Sequence, residues 1–316
     1  MTIARAIRSA LAEPETAEVV VVDDGSADAT AEVAAACDDG SGRLKIIRQA
    51  NRGPSAATNV AIEASTAPYL CNLDADDFFL PGRFKAIFDA AGTDWDLVAD
   101  KLLLGKEGAE DGPYERWRGD DPLPSVLSLA AFVEGNISRA SRPRAELGYM
   151  QPIKRRAFLD AHKLRFHEDL WLGEDYLLYA EAVARGARFK TVEHYGYVAI
   201  ARPSSLSHLH PPEYLEALMQ ADQALAAIPG IPAAGRRALK RHEASTRRKW
   251  IYRRVLAAKQ EGRLGQAAAL ALSGPDVFVY IVVETIRSWR RKAAFKAAAA
   301  QGGWAPAGAP ADEAST

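Results

Sequence analysis

Three short clusters in this chain have the composition of a reaction centre. Asp74, Asp76 and Asp77 fall within four residues, directly after the apolar run Tyr69–Leu73 and before Phe78, Phe79 and a Pro81-Gly82 break. Asp23 and Asp24 close a second apolar run, Val19–Val22, and lead into Gly25-Ser26. Glu174 and Asp175 follow Gly173 and precede the apolar stretch Tyr176–Ala180. Carboxylates packed this closely repel, and each has its proton affinity raised unless a cation is shared among them. Hard divalent cations such as Mg2+ take oxygen ligands and leave room for water and substrate phosphates. A strand ending in Asp-x-Asp is therefore suited to hold a metal–diphosphate at the carboxyl edge of an α/β sheet. Plainer readings stand beside this one. An acidic turn with a solvated face has the same composition, and Asp-Asp-Gly-Ser can be turn chemistry alone. An acidic pair that opens a helix is favoured by the helix dipole. His208 and His210, just before Pro211-Pro212, offer a further metal ligand or two solvated loop side chains.

Such carboxylates need rigid elements to place them. Apolar residues at Ile3, Ala6, Ile7, Ala10 and Leu11 predict a helix over Thr2–Leu11. Strands are expected at Glu18–Val22, Leu44–Ile47, Tyr69–Leu73 and Asp96–Leu104, with helices at Ala31–Ala36 (capped from Asp28 or Thr30) and Ser55–Ala64. Strand–helix alternation at this pace argues for a mostly parallel, doubly wound α/β sheet. Residues 105–124 read as a loop and Ser125–Val133 as a short helix. Beyond Glu213 the pattern is helical, through Tyr214–Ala227 and Ala233–Lys259, and Ala297–Thr316 has the composition of a disordered tail.

Composition narrows the class. With 48% hydrophobic and 26% charged residues among 316, the chain can build a sizeable core. A formal net charge of −1 gives no global reason to expect nucleic acid. The two cysteines, Cys37 and Cys71, imply no disulfide framework and suit a reducing compartment. The N-terminus lacks an apolar signal core, and no stretch reaches the roughly 18 apolar residues of a spanning helix. The expectation is a cytoplasmic protein. Residues 277–295 join an apolar run to Arg287, Arg290, Arg291 and Lys292 around Trp289. They suit either the inner surface of the plasma membrane or an ordinary packed helix with a basic end.

The segments VVVVDDGSADAT (residues 19–30), NRGPSAATN (51–59) and NLDADD (72–77), followed by residues 147–189 with Gly173-Glu174-Asp175, resemble family 2 glycosyltransferases. These are inverting, nucleotide-sugar-dependent enzymes of the GT-A fold, here closest in flavour to bacterial transferases that build exopolysaccharide. The resemblance covers roughly the first two thirds of the chain. It implies a GT-A domain over 1–210 (nucleotide-sugar half 1–104, acceptor half 105–210), a helical region over 211–296 and a tail over 297–316. It also implies that Asp24 receives a hydrogen bond from the pyrimidine of the donor, with Asp23 structural and Asn51, Arg52 and Asn59 lining the donor. Asp76 would ligate Mn2+ or Mg2+ directly. Asp74 would orient toward the ribose or a metal-bound water, and Asp77 is the third candidate ligand. Asp175 would be the general base, Glu174 its support, and Arg202 would help close a loop over the diphosphate. The implied partners are a nucleotide-sugar donor, as a UDP-sugar, and a glycan or lipid-linked saccharide acceptor. Two departures stand out. Thr58 occupies the place of a family arginine, for which Arg52 is the available substitute, and the QxxRW motif of processive members is missing, which favours one sugar per encounter. Family members also open with a strand ahead of the helix matching Thr2–Leu11, so an upstream strand is expected to be missing, which would leave a neighbouring strand with unpaired backbone groups. A nucleotidyltransferase, or a binding module of the same fold that no longer turns over, are the other readings.

Overall fold

The computed structural model describes residues 2–109, 111–117, 122–137, 147–202 and 211–300, with backbone alone at 291, 292 and 294–300. His208, His210 and the tail from residue 301 onward lie outside the described residues.

The apolar stripe of the first ten residues becomes helix α1 (Thr2–Leu11), which buries Ala6, Ile7, Ala10 and Leu11. Strands β1 (Val19–Asp23) and β2 (Leu44–Arg48) pair in parallel, from Val19 opposite Leu44 to Asp23 opposite Arg48. Helix α2 (Thr30–Ala35) connects them, as a parallel pair requires a crossover. The cap position of α2 is Ala29, without a side-chain cap, while Asp28 Oδ1 accepts from the Thr30 N–H at 3.1 Å. Helix α3 (Pro54–Ala64) starts with proline, whose fixed φ and missing N–H suit that position.

Next come β3 (Tyr69–Leu70), β4 (Phe78–Phe79), α4 (Arg83–Ala91), β5 (Leu97–Lys106), β6 (Glu115–Arg116), β7 (Val126–Leu127), α5 (Leu129–Gly135), a 3-10 turn at Leu147–Tyr149, β8 (Ile153–Arg155), α6 (Arg156–Ala161), α7 (Glu174–Ala184) and β9 (Phe189–Ala201). The second sheet has the order β3-β8-β5-β9-β4, with β6 on β5 and β7 on β9. The long pairings, β1–β2 and β5–β9, are parallel. Each antiparallel pairing engages only two residues per strand, so the parallel part carries the length while short returns supply the margins.

Three local expectations need correction. The strand expected over Tyr69–Leu73 pairs only through Leu70. Beyond it, side chains replace the ladder: Cys71 Sγ lies 3.7 Å from Gln151 O, and Lys154 Nζ donates to Asn72 Oδ1 at 3.3 Å. The helix expected over Ser125–Val133 starts only after Ser128, whose Oγ accepts from the Ala131 N–H at 3.2 Å. A serine cap sets that boundary, and Val126–Leu127 is left free to pair with β9. The loop expected over residues 105–124 contains β6.

The described strands fall into two sheets, β1-β2 and the seven-stranded one. Helix α1 holds the parts together. Ile7 and Leu11 pack with Ala34 and Cys37 beneath β1, while Ala10 packs with Phe79 and Phe84 of the second sheet's layer. Arg5 Nη2 donates to Asp76 O at 3.0 Å, and the Glu18 carboxylate receives the Thr66 hydroxyl at 2.6 Å. Between the layers Arg83 and Asp100 form a fully buried ion pair at 2.8 Å. Asp100 Oδ2 also accepts from the Gly196 N–H at 2.8 Å, and a Cβ at Gly196 would fall 2.4 Å from Arg83 Cγ. Glycine there is a packing requirement.

The chain ends in helices α8 (Pro212–Ala226), α9 (Ala233–Gln260), α10 (Leu264–Ala271) and α11 (Pro275–Ala300). Asp222 of α8, buried, accepts from Tyr176 OH at 2.7 Å and lies 2.6 Å from His242 Nδ1 of α9. These helices are thereby tied to the first turn of α7.

Candidate active site

Two chain turns bring carboxylates to one place. The DADD turn leaves β3 and returns as β4, and α7 starts at Glu174 after Gly173 takes the left-handed conformation (φ 77°). Asp74 is reached by solvent. Even so, desolvation by surrounding protein is the largest influence raising its carboxyl well above the ordinary range, followed by the charges of Asp77, Asp175, Asp76 and Glu174. Burial first, and Asp175 next, push Glu174 up to about 7. Burial also raises Asp175, against the opposing charge of Lys154 and its hydrogen bonds.

Asp175 is gripped from below. Its Oδ2 accepts from Gln151 Nε2 at 3.1 Å and its Oδ1 from Tyr179 OH at 2.9 Å. Lys154, buried beneath, lies with its ammonium 5.6 Å from the Tyr179 ring centre. Sequence reading missed Gln151, Lys154 and Tyr179. Only Tyr179 left a signal, since a residue four beyond Asp175 shares its helix face.

The metal candidates differ in what they have free. Asp77 is committed: Oδ1 accepts from the Ile200 N–H at 2.8 Å and Oδ2 from Tyr197 OH at 2.7 Å. Its place as third candidate ligand is therefore corrected to a structural one, because both oxygens serve to fasten the turn to β9. No described side chain donates a hydrogen bond to the Asp74 carboxylate. Asp76 Oδ2 lies 3.4 Å from Arg202 Nε. Among the described residues no three His, Cys, Asp or Glu side chains converge as a cage. A partial donor set of Asp74 and Asp76 fits Mg2+ or Mn2+, which take few protein oxygens and complete their shells with water and phosphate. Arg202 Nε and Nη2 are buried without a hydrogen-bond partner among the described residues.

The donor-side candidates form one joint. Asp23 Oδ1 accepts from the Ser26 N–H at 2.9 Å and Oδ2 lies 3.2 Å from Arg48 Nε, a structural turn held below the ordinary carboxylate range chiefly by Ser26. Asp24 receives the Arg52 and Gly53 N–H groups at 2.9 and 2.8 Å and Gln49 Nε2 at 2.8 Å. It thus holds the loop that carries Asn51, which is exposed and packs its backbone against Gly25. Arg52 pairs with Glu168 at 2.7 Å. Asn59 is corrected from donor lining to a staple: its Nδ2 donates to Phe166 O at 2.8 Å and its Oδ1 accepts from the Phe166 N–H at 2.9 Å, so its amide is spent joining α3 to the segment before α7.

The fold and the carboxylate cluster together are those of a glycosyltransferase. Comparison with known proteins agrees: the sequence pattern described as Glycosyl transferase family 2 matches residues 1–158. The chain belongs to that family. It is 45% identical over 285 residues to the succinoglycan biosynthesis protein ExoU of Rhizobium meliloti (strain 1021), covering 89% of this chain and 82% of that one. It is 40% identical over 229 residues to ExoO of the same organism, covering 71% and 64% respectively. Among solved structures, S. aureus TarS 1-349 in complex with UDP-GlcNAc superposes with a TM-score of 0.59 at 18% identity, over 96% of this chain and 89% of that one. A mannosyltransferase from Pyrobaculum calidifontis in complex with GDP-Man and Mn2+ gives 0.54 at 15% identity, over 90% and 80%. These superpositions show the GT-A fold.

The raised carboxyl of Glu174 has a consequence for stability. The folded chain binds this proton more tightly than the unfolded chain, so its ionisation costs stability. That cost is absent below the ordinary 4.5, grows with pH, and is complete above about 7. Glu174→Gln should therefore raise the melting temperature by at least ~2 °C at about pH 8 in chelator, with the gain shrinking toward zero by about pH 5. Melting curves at both pH values check this; a larger gain at the acid end would contradict the assignment.

Proposed function

We propose that the chain is an inverting, metal-dependent, non-processive glycosyltransferase of exopolysaccharide synthesis. It would move one sugar from a nucleotide-diphosphate donor, a UDP-sugar, to a hydroxyl of a glycan or lipid-linked acceptor. The observation that carries this reading is Asp175: a carboxylate of raised proton affinity, held by Gln151 and Tyr179. In the proposed reaction Asp175 takes the proton from the acceptor hydroxyl as that oxygen attacks the anomeric carbon. Attack comes from the side opposite the diphosphate, so the one displacement inverts configuration. Gln151 and Tyr179 keep the carboxylate oriented, and the charge of Lys154 limits how far its proton affinity rises. Mn2+ or Mg2+ held by Asp76 and Asp74 would supply Lewis-acid stabilisation of the leaving diphosphate. Arg202, whose Nε is ion-paired to Asp76 and whose Nη2 has no hydrogen-bond partner among the described residues, opposes the same charge. Asp24 and its loop would meet the nucleotide base.

A general base of this kind is worth roughly 10²–10⁴-fold. Asp175→Asn should lower turnover by about that factor, followed as nucleoside diphosphate release over a panel of nucleotide sugars with Mn2+. Its affinity for UDP should stay unchanged. A variant that keeps its rate while losing UDP binding would remove Asp175 from this role.

The reading extends to place: cytoplasmic, on the inner face of the plasma membrane. Residues 233–300 carry 16 Lys or Arg against 4 Asp or Glu, whereas the rest of the chain carries 24 against 37. The near-neutral total thus conceals a cationic helical end. On α11 Phe278, Val279, Val282, Val283, Ile286 and Trp289 are exposed. No single described helix is long and apolar enough to cross a membrane; α10 and α11 pass only together, bent by 114°. Exposed apolar residues beside cationic ones suit a surface of anionic lipid. Val277 belongs to the buried cluster of α9–α11, so point changes test this better than truncation. Replacing Phe278, Ile286 and Trp289 with serine should weaken sedimentation with phosphatidylglycerol vesicles by more than about tenfold, with unchanged melting. Equal sedimentation would count against the membrane.

A further inference from the structure

Between the donor loop and the base lies an aromatic surface that the proposed chemistry does not use. Trp171 is 44% exposed, the one exposed tryptophan among the described residues ahead of α11. Tyr214, in the first turn of α8, lies nearly parallel to it, with an interplanar angle of 14° and ring centres 6.2 Å apart. The indole is held firmly. A Cβ at Gly53 would fall 3.0 Å from Trp171 Cη2 and 3.1 Å from Cζ2, and Gly53 has φ 90°, so only glycine lets the ring lie against this backbone. The Gly53 N–H is itself spent on Asp24. Ahead of Trp171 the segment is fixed to α3 and its loop by Asn59 on both sides of the Phe166 peptide and by the Arg52–Glu168 pair. Behind it come Leu172, Gly173, Glu174 and Asp175, so the Trp171 and Asp175 backbones lie within about 13 Å of one another.

We propose that Trp171 and Tyr214 form a platform for a pyranose ring of the acceptor, bound by its C–H face. The proposal rests on the glycosyltransferase reading. An aromatic face is the negative part of the ring quadrupole, and the axial hydrogens of a gluco- or galacto-configured pyranose are a flat, weakly positive, apolar surface. Stacking the two removes apolar area from water and leaves the sugar hydroxyls at the rim for hydrogen bonds, one of them within reach of a base a few residues away. The rings come from the segment leading to the base and from α8, outside the strands and loop that carry Asp23 and Asp24. This favours the acceptor over the nucleotide base as occupant.

The test uses the intact chain and its Trp171→Phe, Trp171→Ala and Tyr214→Ala variants. Each is titrated with cellobiose and with lactose, followed by intrinsic fluorescence, and separately with UDP and Mn2+. Expected is a saturable change in the wild type with one or both sugars, weakened by about tenfold or more in Trp171→Ala, weakened in Tyr214→Ala, and kept within about threefold in Trp171→Phe, while UDP affinity stays constant across the set. Sugar binding that survives Trp171→Ala, or no saturable change in the wild type with either sugar, overturns the platform. Loss of UDP affinity in Trp171→Ala with sugar binding intact assigns the rings to the donor base and overturns it as well. Failure of the wild type to bind UDP would instead strike at the glycosyltransferase reading, and leaves the sugar titration to decide the platform.

Discussion

The structure turns on the burial of carboxylates that the fold brings together. Asp74, Asp76 and Asp77 arrive on one turn, and Glu174 and Asp175 arrive on the first turn of a helix packed against the same sheet. Burial raises the proton affinity of Asp74, Asp77, Glu174 and Asp175, and neighbouring carboxylates add to it at the first three. The protein answers part of this charge itself. Tyr197 and the Ile200 N–H satisfy Asp77, and Gln151 and Tyr179 satisfy Asp175. Buried Lys154 opposes the charge on Asp175 from beneath. What remains unanswered is Asp74 and Asp76, with Arg202 alongside the latter. In the proposed function a divalent cation and an anionic diphosphate would complete that balance.

The same constraint explains the framework behind the cleft. The Arg83–Asp100 pair, fully buried, ties α4 to β5 and, through Gly196, to β9. Arg83 also donates to Gln151 O at 2.8 Å and reaches Cys71 Sγ at 3.3 Å, so one guanidinium braces both the segment between β3 and the acidic turn and the residue that grips Asp175. Removing one partner of a buried pair leaves an uncompensated charge and is costly, whatever the net worth of the intact pair. On the other side of α7, Tyr176 with Asp222 and His242 fastens the same helix to α8 and α9.

Much of this was legible in the sequence. The strand runs, the helix at Thr2–Leu11 and the three acidic clusters followed from periodicity and spacing, because each depends on neighbours close in the chain. The roles of single residues were harder to read. Asn59 looked like a donor ligand, but Phe166 uses its amide, 107 residues away. Asp77 looked like a metal ligand, but the β9 backbone uses it, and nothing local distinguishes it from Asp76. Lys154 sits in the short strand β8 and Gln151 two residues ahead of that strand, neither with a chemical signature, and their meaning comes only from burial under Asp175. The division of charge between the helical end and the rest was present in the sequence but hidden by a total near zero.

Central to the proposed function is a cation that Asp74 and Asp76 would hold. Titration of UDP into the protein by calorimetry, once with Mn2+ and once with excess chelator, tests it directly. UDP should bind at least about tenfold more tightly with Mn2+, and the difference should vanish in Asp76→Ala. Equal affinity for UDP in chelator, with Asp76→Ala indistinguishable from the native chain, would contradict it.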